Sequence, residues 1–267
     1  MPYLSPALNV MTTAARKAGR RLVRDFGELE NLQITPKGPA DFVSSADHRT
    51  ERILIEELQR ARPHYNFLLE ESGSIEGPDK SHRFIIDPLD GTTNFLHGIP
   101  QFAISIALER DGQLVSAVVY NPVTDEMFTS EKGHGAYLND KRLRVAARKT
   151  LPESLIATGI PFLGREGHER YLKELGAVMA ATSGVRRFGA ASLDLAWVAA
   201  GRFDGFWERG LSPWDVAAGI LLVREAGGFV SDLDGGSRAL DSGHILAAND
   251  TLHPQLLKLL KTSVQAG

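Results

Sequence analysis

Apolar residues recur at spacings of three and four near the start of the chain, which is the pattern of an amphipathic helix. Residues 4–26 carry this periodicity. Two prolines and a glycine then interrupt it, so residues 34–40 are expected to form a loop. Ser44 or Ser45 caps a second predicted helix, which Pro63 ends. The beginning of the chain therefore predicts two helices separated by a loop.

Short apolar runs follow, and two of them end in acidic residues. Residues 66–69 and 83–86 are predicted strands whose carboxyl ends lead into Glu70-Glu71 and Asp87. Further along, short strands alternate with turns rich in Gly, Asn, Asp and Pro, which predicts a mostly antiparallel meander. The meander strands are residues 103–109, 114–120, 127–130 and 136–138.

The second half of the chain alternates strands with helices. The predicted strands are residues 155–159, 185–188, 203–208, 229–231 and 245–248. The predicted helices are residues 168–181, 192–200, an amphipathic 214–226 and a terminal segment. We expect an N-terminal half (1–148) and a C-terminal half (149–267) that form one compact catalytic unit. The fold class is mixed α/β (α+β), with helices covering the sheets.

Composition narrows the classes of function. The 267 residues are 43% hydrophobic and 24% charged, with a formal net charge of −3, as in an ordinary globular enzyme. Basic residues neither predominate nor cluster, so direct nucleic-acid binding is not expected. Cysteine is absent, which excludes disulfides and thiolate chemistry. The N-terminal residues lack a signal-peptide pattern and no apolar run reaches a membrane-spanning length, so we expect a cytoplasmic protein without a membrane partner.

The segment most suggestive of chemistry is residues 87–95, DPLDGTTNF. Asp87 and Asp90 lie three residues apart and can point into one pocket, where Gly91 lets the backbone approach a ligand closely. Carboxylates are the ligands that Mg²⁺ prefers, and two ions about 3.5–4 Å apart could share a bridging carboxylate and flank a phosphate. The alternative is a solvated turn, in which Asp, Gly and Asn are the expected residues.

Two further acidic positions have both a functional and a structural interpretation. Glu70 and Glu71 follow a strand, so only one of them can face the same side as its inward residues. They are either part of a metal site or an exposed pair that opens a loop. Asp215 lies in the first turn of a predicted helix, where the helix dipole stabilises an acid in any case. Such a helix start can also hold a metal-ligating acid or a phosphate.

Other catalytic signatures are missing from the sequence. It contains neither a nucleophile elbow, nor a phosphate-binding P-loop, nor a His-Glu-x-x-His pair. The Gly-rich segment 132–136 and the calcium-loop-like segment 232–236 are explained better as turns. Arg186 and Arg187 could contact a partner subunit or a second phosphate, or form a solvated strand edge.

Four motifs occur in a fixed order along the chain. They are residues 41–47 (DFVSSAD), 70–73 (EESG), 87–95 (DPLDGTTNF) and 214–219 (WDVAAG). Together they resemble the inositol monophosphatase family, particularly its bacterial SuhB-type members, from Lys37 to Asn249. The resemblance implies a five-layered αβαβα sandwich of the sugar-phosphatase type and a homodimer. It also implies dependence on two or three Mg²⁺ ions and sensitivity to lithium.

The resemblance assigns roles to individual residues. Glu70, Asp87 and the backbone carbonyl of Leu89 match ligands of a first metal ion, and Asp87, Asp90 and Asp215 match ligands of a second. Catalytic roles fall to Asp47, Glu70 and Thr92, of which Asp47 and Thr92 match the pair that orients the attacking water. The residues expected to contact the substrate are Glu70, Leu89, Asp90, Gly91, Thr92, Gly189, Ala190, Ala191, Glu208 and Asp215.

The implied reaction is Mg²⁺-dependent hydrolysis of a polyol or sugar phosphate, with inositol 1-phosphate as the first choice. Histidinol phosphate, fructose 1,6-bisphosphate and nucleotide 3′-phosphates are alternative substrates for the same site. Leu69 and Ala190 depart from the family pattern, and the hydroxyl missing at Ala190 could loosen specificity. An alternative of another class is a regulatory, partner-binding protein with a vestigial pocket. Glu208 has its own alternative, a surface ion pair with Arg209.

Overall fold

A two-stranded antiparallel ribbon precedes the main sheets in the computed structural model, which describes residues 5–29, 34–38 and 41–265. The strands are β1 (Ile34–Gly38) and β2 (Asp41–Ser44). The prediction of a loop at 34–40 was therefore wrong for 34–38, and 39–40 lie outside the described residues. Pro36 is tolerated because both strands of a ribbon are edges, where a missing N–H interrupts no interior ladder.

The larger sheet is assembled mainly by consecutive hairpins. Its strands are β3 (Asn66–Leu69), β4 (Gly73–Ile75), β5 (His82–Asp90), β6 (Ala103–Arg110), β7 (Gln113–Asn121), β8 (Glu126–Glu131), β9 (Gly135–Leu138) and β10 (Lys141–Arg142). Their order is β10-β9-β8-β7-β6-β5-β3-β4. Neighbouring strands are antiparallel except for β3 and β5, which run parallel. The predicted meander is confirmed, and β4 and β10 are additions that their short lengths concealed.

The smaller sheet is mixed. Its strands are β11 (Leu155–Thr158), β12 (Gly184–Arg186), β13 (Gly205–Glu208), β14 (Phe229–Ser231) and β15 (Ile245–Ala248), in the order β12-β11-β13-β15-β14. β11 is parallel to β12 and β13, whereas β15 is antiparallel to β13 and β14. β12 and β13 are shorter than predicted, because apolar residues beside them pack in loops rather than pairing.

Helices separate and cover the two sheets. They are α1 (Pro6–Phe26), α2 (Ser45–Ala61), α3 (Thr92–Leu96), α4 (His168–Ala181), α5 (Ala191–Ala199), α6 (Pro213–Glu225), α7 (Ala239–Ser242) and α8 (Leu252–Gln265). α1 and α2 pack on the outer face of the larger sheet, α5 and α6 lie between the sheets, and α4 and α8 cover the smaller sheet. The expected five-layered sandwich is confirmed. The described residues form no helix long and apolar enough to cross a membrane.

The central layer explains one wrong expectation. α6 was predicted to be amphipathic, yet its residues from Val216 to Val223 are all buried. A helix that is apolar all round fits a position between two sheets, where neither side meets water. Gly219 permits the close approach of α5, because a Cβ there would lie 2.4 Å from Leu195 Cδ1.

The strand that carries the motif 87–95 also differs from the prediction. The strand was predicted to end at Ile86, but β5 continues through Asp90. Its pairing with β6 shifts between Asp87, which lies opposite Ser105, and Asp90, which lies opposite Ala103. The extra residue is a β-bulge. After the bulge the chain turns at Gly91 into the short helix α3, which the sequence analysis missed.

A fully buried glutamate ties α4 to the end of β13. Glu174 accepts hydrogen bonds from Arg209 Nη2 at 2.7 Å and from Arg170 Nε at 3.2 Å, and its side chain has no exposed surface. Arg209 is therefore committed to Glu174, and the alternative that it pairs with Glu208 on the surface was wrong.

We predict that Glu174→Ala lowers the free energy of unfolding by about 2 kcal/mol, since two arginines lose a buried carboxylate but remain partly hydrated. Urea unfolding followed by circular dichroism measures the change. The matched control is Glu169→Ala on the same helix, whose side chain is 90% exposed and lies 3.7 Å from Lys173. It should cost less than about 1 kcal/mol. Equal losses of stability in the two variants would contradict a stabilising role for the contacts of Glu174 with Arg170 and Arg209.

Candidate active site

The bulge in β5 places two acidic side chains on the same side of the sheet. In a regular strand, residues three apart point to opposite faces. The extra residue between Asp87 and Asp90 reverses this alternation, so both carboxyl groups can face the same pocket. Both residues are buried, and the Leu89 N–H donates to Asp87 Oδ1 at 2.9 Å. The bulge thus explains how two acidic residues spaced three apart can face the same pocket.

Gly91 starts the turn that follows. Its φ of +93° lies in the left-handed region, and a Cβ there would lie 2.8 Å from the Gln101 carbonyl oxygen, so glycine is required. Thr92 opens α3, and its Oγ1 lies 3.2 Å from Asp47 Oδ1 and 3.0 Å from the Leu89 carbonyl oxygen. The turn thereby connects the end of β5 with α2.

Asp47 reaches the site from the first turn of α2. Its Oδ2 accepts hydrogen bonds from the Ser44 N–H at 2.8 Å and the Ser44 hydroxyl at 2.7 Å, which forms a capping box. Its other oxygen faces Thr92. Burial raises the pKa of Asp47, and the bonds from Ser44 partly oppose this shift. The pair predicted from the resemblance is therefore in direct contact, although its catalytic role stays a prediction.

Glu70 follows β3 and lies at the same sheet edge as Asp87, because β3 and β5 are parallel. Its N–H donates to the Ile86 carbonyl oxygen at 3.3 Å. Buried Glu51 of α2 anchors the next residues by accepting the Glu71 N–H at 2.9 Å and the Ser72 hydroxyl. Glu51 was not among the site residues predicted from the sequence. The sequence does contain a signal for Glu51: it lies four residues after Asp47, which places both acidic side chains on one face of the helix.

Asp215 arrives from the other half of the chain. It is the third residue of α6, and its Oδ2 accepts the Ser212 N–H at 2.7 Å in a second capping box. The Ser105 hydroxyl donates to the Trp214 carbonyl oxygen at 3.2 Å, which ties this helix start to β6 beside Asp87. Capping and a site role are therefore compatible, because only one carboxylate oxygen is used by the cap.

The charges of these acids influence one another strongly. Burial raises the pKa of Asp87 well above its usual range, and repulsion from Glu70, Asp90 and Asp215 adds to the shift. Burial, followed by repulsion from Asp90, likewise raises the pKa of Asp215. Burial raises the pKa of Asp90 to about 6, against hydrogen bonds from Ser192. Without a counter-charge, this cluster holds protons that ordinary carboxyl groups release.

The donor chemistry of the cluster fits Mg²⁺. Only oxygen ligands are present, and the mutual repulsion is what a divalent cation would relieve. Among the described residues, no three acidic or histidine side chains surround a common point. Mg²⁺ usually keeps several of its water molecules, and these can fill the space between the carboxylates and the ion. The fit therefore rests on the shared oxygen donors rather than on a closed cage.

The predicted substrate wall lies at the start of α5, across the site from β5. Ala190 and Ala191 are buried. Ala190 lies close to Gly91, because a Cβ placed on Gly91 would be 3.3 Å from Ala190 Cβ. Asn94 Nδ2 donates to the Phe188 carbonyl oxygen at 2.7 Å and to the Gln101 carbonyl oxygen at 2.8 Å. The wall and the turn after β5 are therefore held together.

Glu208 lies at the end of β13, with its carboxyl group over Gly159. A Cβ on Gly159 would lie 1.8 Å from Glu208 Oε1. The carboxyl group therefore occupies space that only a glycine at position 159 leaves open. Burial raises the pKa of Glu208 to about 8, with repulsion from Asp90 adding to the shift and the charges of Arg187 and Arg165 opposing it. The electrostatic link to Asp90 associates Glu208 with the acidic cluster.

Asp194, a further acidic residue on α5, was not predicted from the sequence. Asp194 is 1% exposed, and its Oδ1 has no hydrogen-bond partner. Burial raises its pKa well above the usual range, and repulsion from Glu208 and Asp90 adds to this. The available signal was an aspartate within an otherwise apolar helix. Arg187, left open by the sequence, packs over Gly189, where a Cβ would lie 2.6 Å from its Nη1.

The fold and the site define a phosphatase of the sugar-phosphatase type, and comparison with known proteins identifies the family. The model of the inositol monophosphatase family matches residues 4–265. The chain belongs to this family, as its motifs indicated, and it is a phosphoric monoester hydrolase of the inositol-1-monophosphatase kind.

Individual relatives match the chain over nearly its whole length. The inositol-1-monophosphatase of Mesorhizobium japonicum is 60% identical over 98% of both chains. The Nus factor SuhB of Escherichia coli is 42% identical over 98% of this chain and 97% of its own length. The crystal structure of the extragenic suppressor protein suhB from Bartonella henselae superposes with a TM-score of 0.94 at 59% identity. That alignment covers 96% of this chain and 99% of the other.

The raised pKa values predict how stability depends on pH when divalent ions are chelated. Asp90 and Glu208 have folded-state pKa values of about 6 and about 8, above the values of about 4 that these groups have when unfolded. The folded chain then binds more protons than the unfolded chain, so the free energy of unfolding should fall as pH rises from about 5 to 8, by about 5 kcal/mol.

Urea unfolding in EDTA at pH 5, 6.5 and 8 measures this dependence. Glu208→Gln cannot release the proton, so its stability should decline less above pH 6.5. The difference between the two proteins isolates Glu208, because they share all other titrating groups. A wild-type stability that rises across this interval, or identical slopes in both proteins, would contradict the assignment.

Proposed function

We propose that the chain hydrolyses inositol 1-phosphate to inositol and phosphate with the help of bound Mg²⁺. The observation that carries this proposal is the convergence of Asp87, Asp90 and Asp215 from two halves of the chain, where burial, with added repulsion from neighbouring carboxylates, raises the pKa of each. Such a cluster has little structural purpose and suits a divalent cation. The family is metal-dependent, and relatives that are 57–60% identical are inositol-1-monophosphatases.

Two Mg²⁺ ions are proposed for this site, with a third as an option. Glu70, Asp87 and the Leu89 carbonyl oxygen would hold the first ion, and Asp87, Asp90 and Asp215 the second. When bound, the ions lower the pKa of a bound water molecule and offset negative charge on the phosphoryl oxygens.

The chain itself supplies a proton acceptor and donors to the phosphate. Thr92 Oγ1 would accept a proton from the attacking water while passing its own to Asp47 Oδ1, 3.2 Å away. The raised pKa of Asp47 makes it able to hold that proton. The N–H groups of Gly91 and Thr92 lie at the start of α3, where helices leave donors unpaired, and we assign them to the phosphate.

Recognition of the polyol is assigned to Glu208 and to the wall formed by Gly189, Ala190 and Ala191. A carboxylate accepts hydrogen bonds from neighbouring hydroxyls, which favours a polyol or sugar over a simple alkyl phosphate. Histidinol phosphate, fructose 1,6-bisphosphate and nucleotide 3′-phosphates stay alternatives for the same site. The names of the relatives favour inositol 1-phosphate among them.

A homodimer is proposed as the assembled form. Leu172 and Met179, seven residues apart on one face of α4, expose 65% and 60% of their surface, and neighbouring exposed apolar side chains are typical of an interface. A cytoplasmic location and inhibition by lithium stay predictions from the sequence. So does the division of the chain at residue 148.

The names of several relatives support a second candidate function, binding of a regulatory partner in transcription. Relatives that are 42–48% identical are called Nus factor SuhB or putative Nus factor SuhB. A cell that lacks the chain and carries a catalytically silent variant separates the two functions. Recovery of growth with the silent variant would favour the partner-binding role, and failure to recover would favour the phosphatase.

We predict that Asp87→Asn lowers kcat by roughly 10³-fold or more without unfolding the chain, because the proposed bridge between both ions loses its charge. Release of phosphate from inositol 1-phosphate with and without Mg²⁺ measures the effect. Asp241→Asn, at an exposed position in α7, is the control and should keep wild-type activity. Full wild-type activity in excess EDTA, or in Asp87→Asn, would refute the two-metal proposal.

We also predict that Glu208→Gln lowers kcat/KM for inositol 1-phosphate by roughly 5- to 150-fold, corresponding to about 1–3 kcal/mol, mainly by raising KM. The loss on p-nitrophenyl phosphate should be much smaller, because this substrate has no hydroxyls for the carboxylate to bind. Steady-state kinetics with both substrates, at a pH above the Glu208 pKa of about 8 so that the group is a carboxylate, measures the ratio. Equal losses would assign Glu208 to structural support rather than to recognition.

A further inference from the structure

Ser192 makes an unusual double contact with one oxygen of Asp90. Its N–H lies 2.7 Å and its hydroxyl oxygen 2.5 Å from Asp90 Oδ2. Ser192 is completely buried, and Asp90 is 8% exposed. The contact joins the first turn of α5 to the end of β5, so it spans the two halves of the chain.

The backbone and the hydroxyl of Ser192 have separable roles. The N–H caps the beginning of α5 through the Asp90 carboxylate, since the residue at the N-cap position, Ala190, has no side-chain oxygen to offer. The hydroxyl adds a second donor to the same carboxylate oxygen. Removing the hydroxyl therefore leaves the helix cap in place and changes only the surroundings of Oδ2.

We propose that Ser192 is a positioning residue, which saturates Oδ2 of Asp90 and directs this carboxylate to bind a cation through Oδ1 alone. The inference rests on the proposed function, in which Asp90 is a ligand of the second Mg²⁺. A carboxylate with one oxygen engaged by two donors is restrained in rotation and in binding mode.

The restraint has a consequence for the choice of metal. Mg²⁺ requires nearly octahedral ligands at about 2.0–2.1 Å, whereas Ca²⁺ accepts carboxylates that bind through both oxygens. A carboxylate limited to one oxygen suits Mg²⁺ and disfavours Ca²⁺. Ser192 thus contributes to selectivity as well as to affinity, although it does not contact the ion.

Calorimetric titration of the full chain with Mg²⁺ and with Ca²⁺, without substrate, tests the proposal independently of activity. Ser192→Ala should weaken the binding of Mg²⁺ at the second site, which includes Asp90, by about 10-fold, in keeping with the effect of losing a hydrogen-bond partner of a metal ligand. Binding of Ca²⁺ should weaken by less than about 3-fold, because Oδ2 keeps only the backbone N–H and the position vacated by the hydroxyl can now accept the ion. The ratio of the two dissociation constants should therefore fall.

Two further variants separate the hydrogen bond from packing. Ser192→Cys keeps the shape of the side chain but donates poorly, so it should reproduce the shift seen with alanine. Ser130→Ala removes another completely buried hydroxyl, one without a hydrogen-bond partner, and should leave both affinities unchanged. Thermal unfolding of each variant shows that the chain is folded at the titration temperature.

The outcomes distinguish this inference from the function on which it rests. Unchanged Mg²⁺ affinity in Ser192→Ala, equal weakening of Mg²⁺ and Ca²⁺, or wild-type behaviour of Ser192→Cys would overturn the role of Ser192. A wild-type chain that binds Mg²⁺ but releases no phosphate from inositol 1-phosphate would overturn the proposed function and leave the role of Ser192 intact. A wild-type chain that binds no Mg²⁺ would overturn both.

Discussion

Repulsion among buried carboxylates is the constraint on which the rest of this structure depends. Asp87, Asp90 and Asp215 lie where burial disfavours their charges, and repulsion from neighbouring carboxylates raises their pKa values further. A fold that keeps them together must fix each one separately. It does so with backbone N–H groups from Leu89, Ser192 and Ser212.

The layered architecture supplies the rigidity that this arrangement needs. The end of β5 presents two acids, and the start of α6 presents a third from between the sheets. α6 is buried along most of its length, so the helix cannot recede from β5 without opening the central core. Packing energy in the core thereby opposes the electrostatic repulsion at the site.

Local sequence signals predicted some parts of this protein and not others. Capping residues and apolar periodicity located α2 and the meander, because those signals act over a few residues. The pairing of β1 with β2 was missed because Pro36 argued for a loop. The apolar character of α6 was misjudged because its partners on both sides are distant in the chain. Glu51 and Asp194 gave only weak signals, since a buried acid is recognised by its surroundings rather than by its neighbours in sequence.

The sequence by itself determined the family, the order of the motifs and the identity of the acidic residues, because these depend on residue type and spacing. Only the tertiary structure decided which oxygen of each acid is engaged and which residues support it. The bulge that turns Asp87 and Asp90 to one face depends on the pairing of β5 with β6. The commitment of Arg209 to Glu174, and of Ser192 to Asp90, depends on contacts between residues 35 and 102 positions apart. Such contacts are set by packing between elements, which no local pattern specifies.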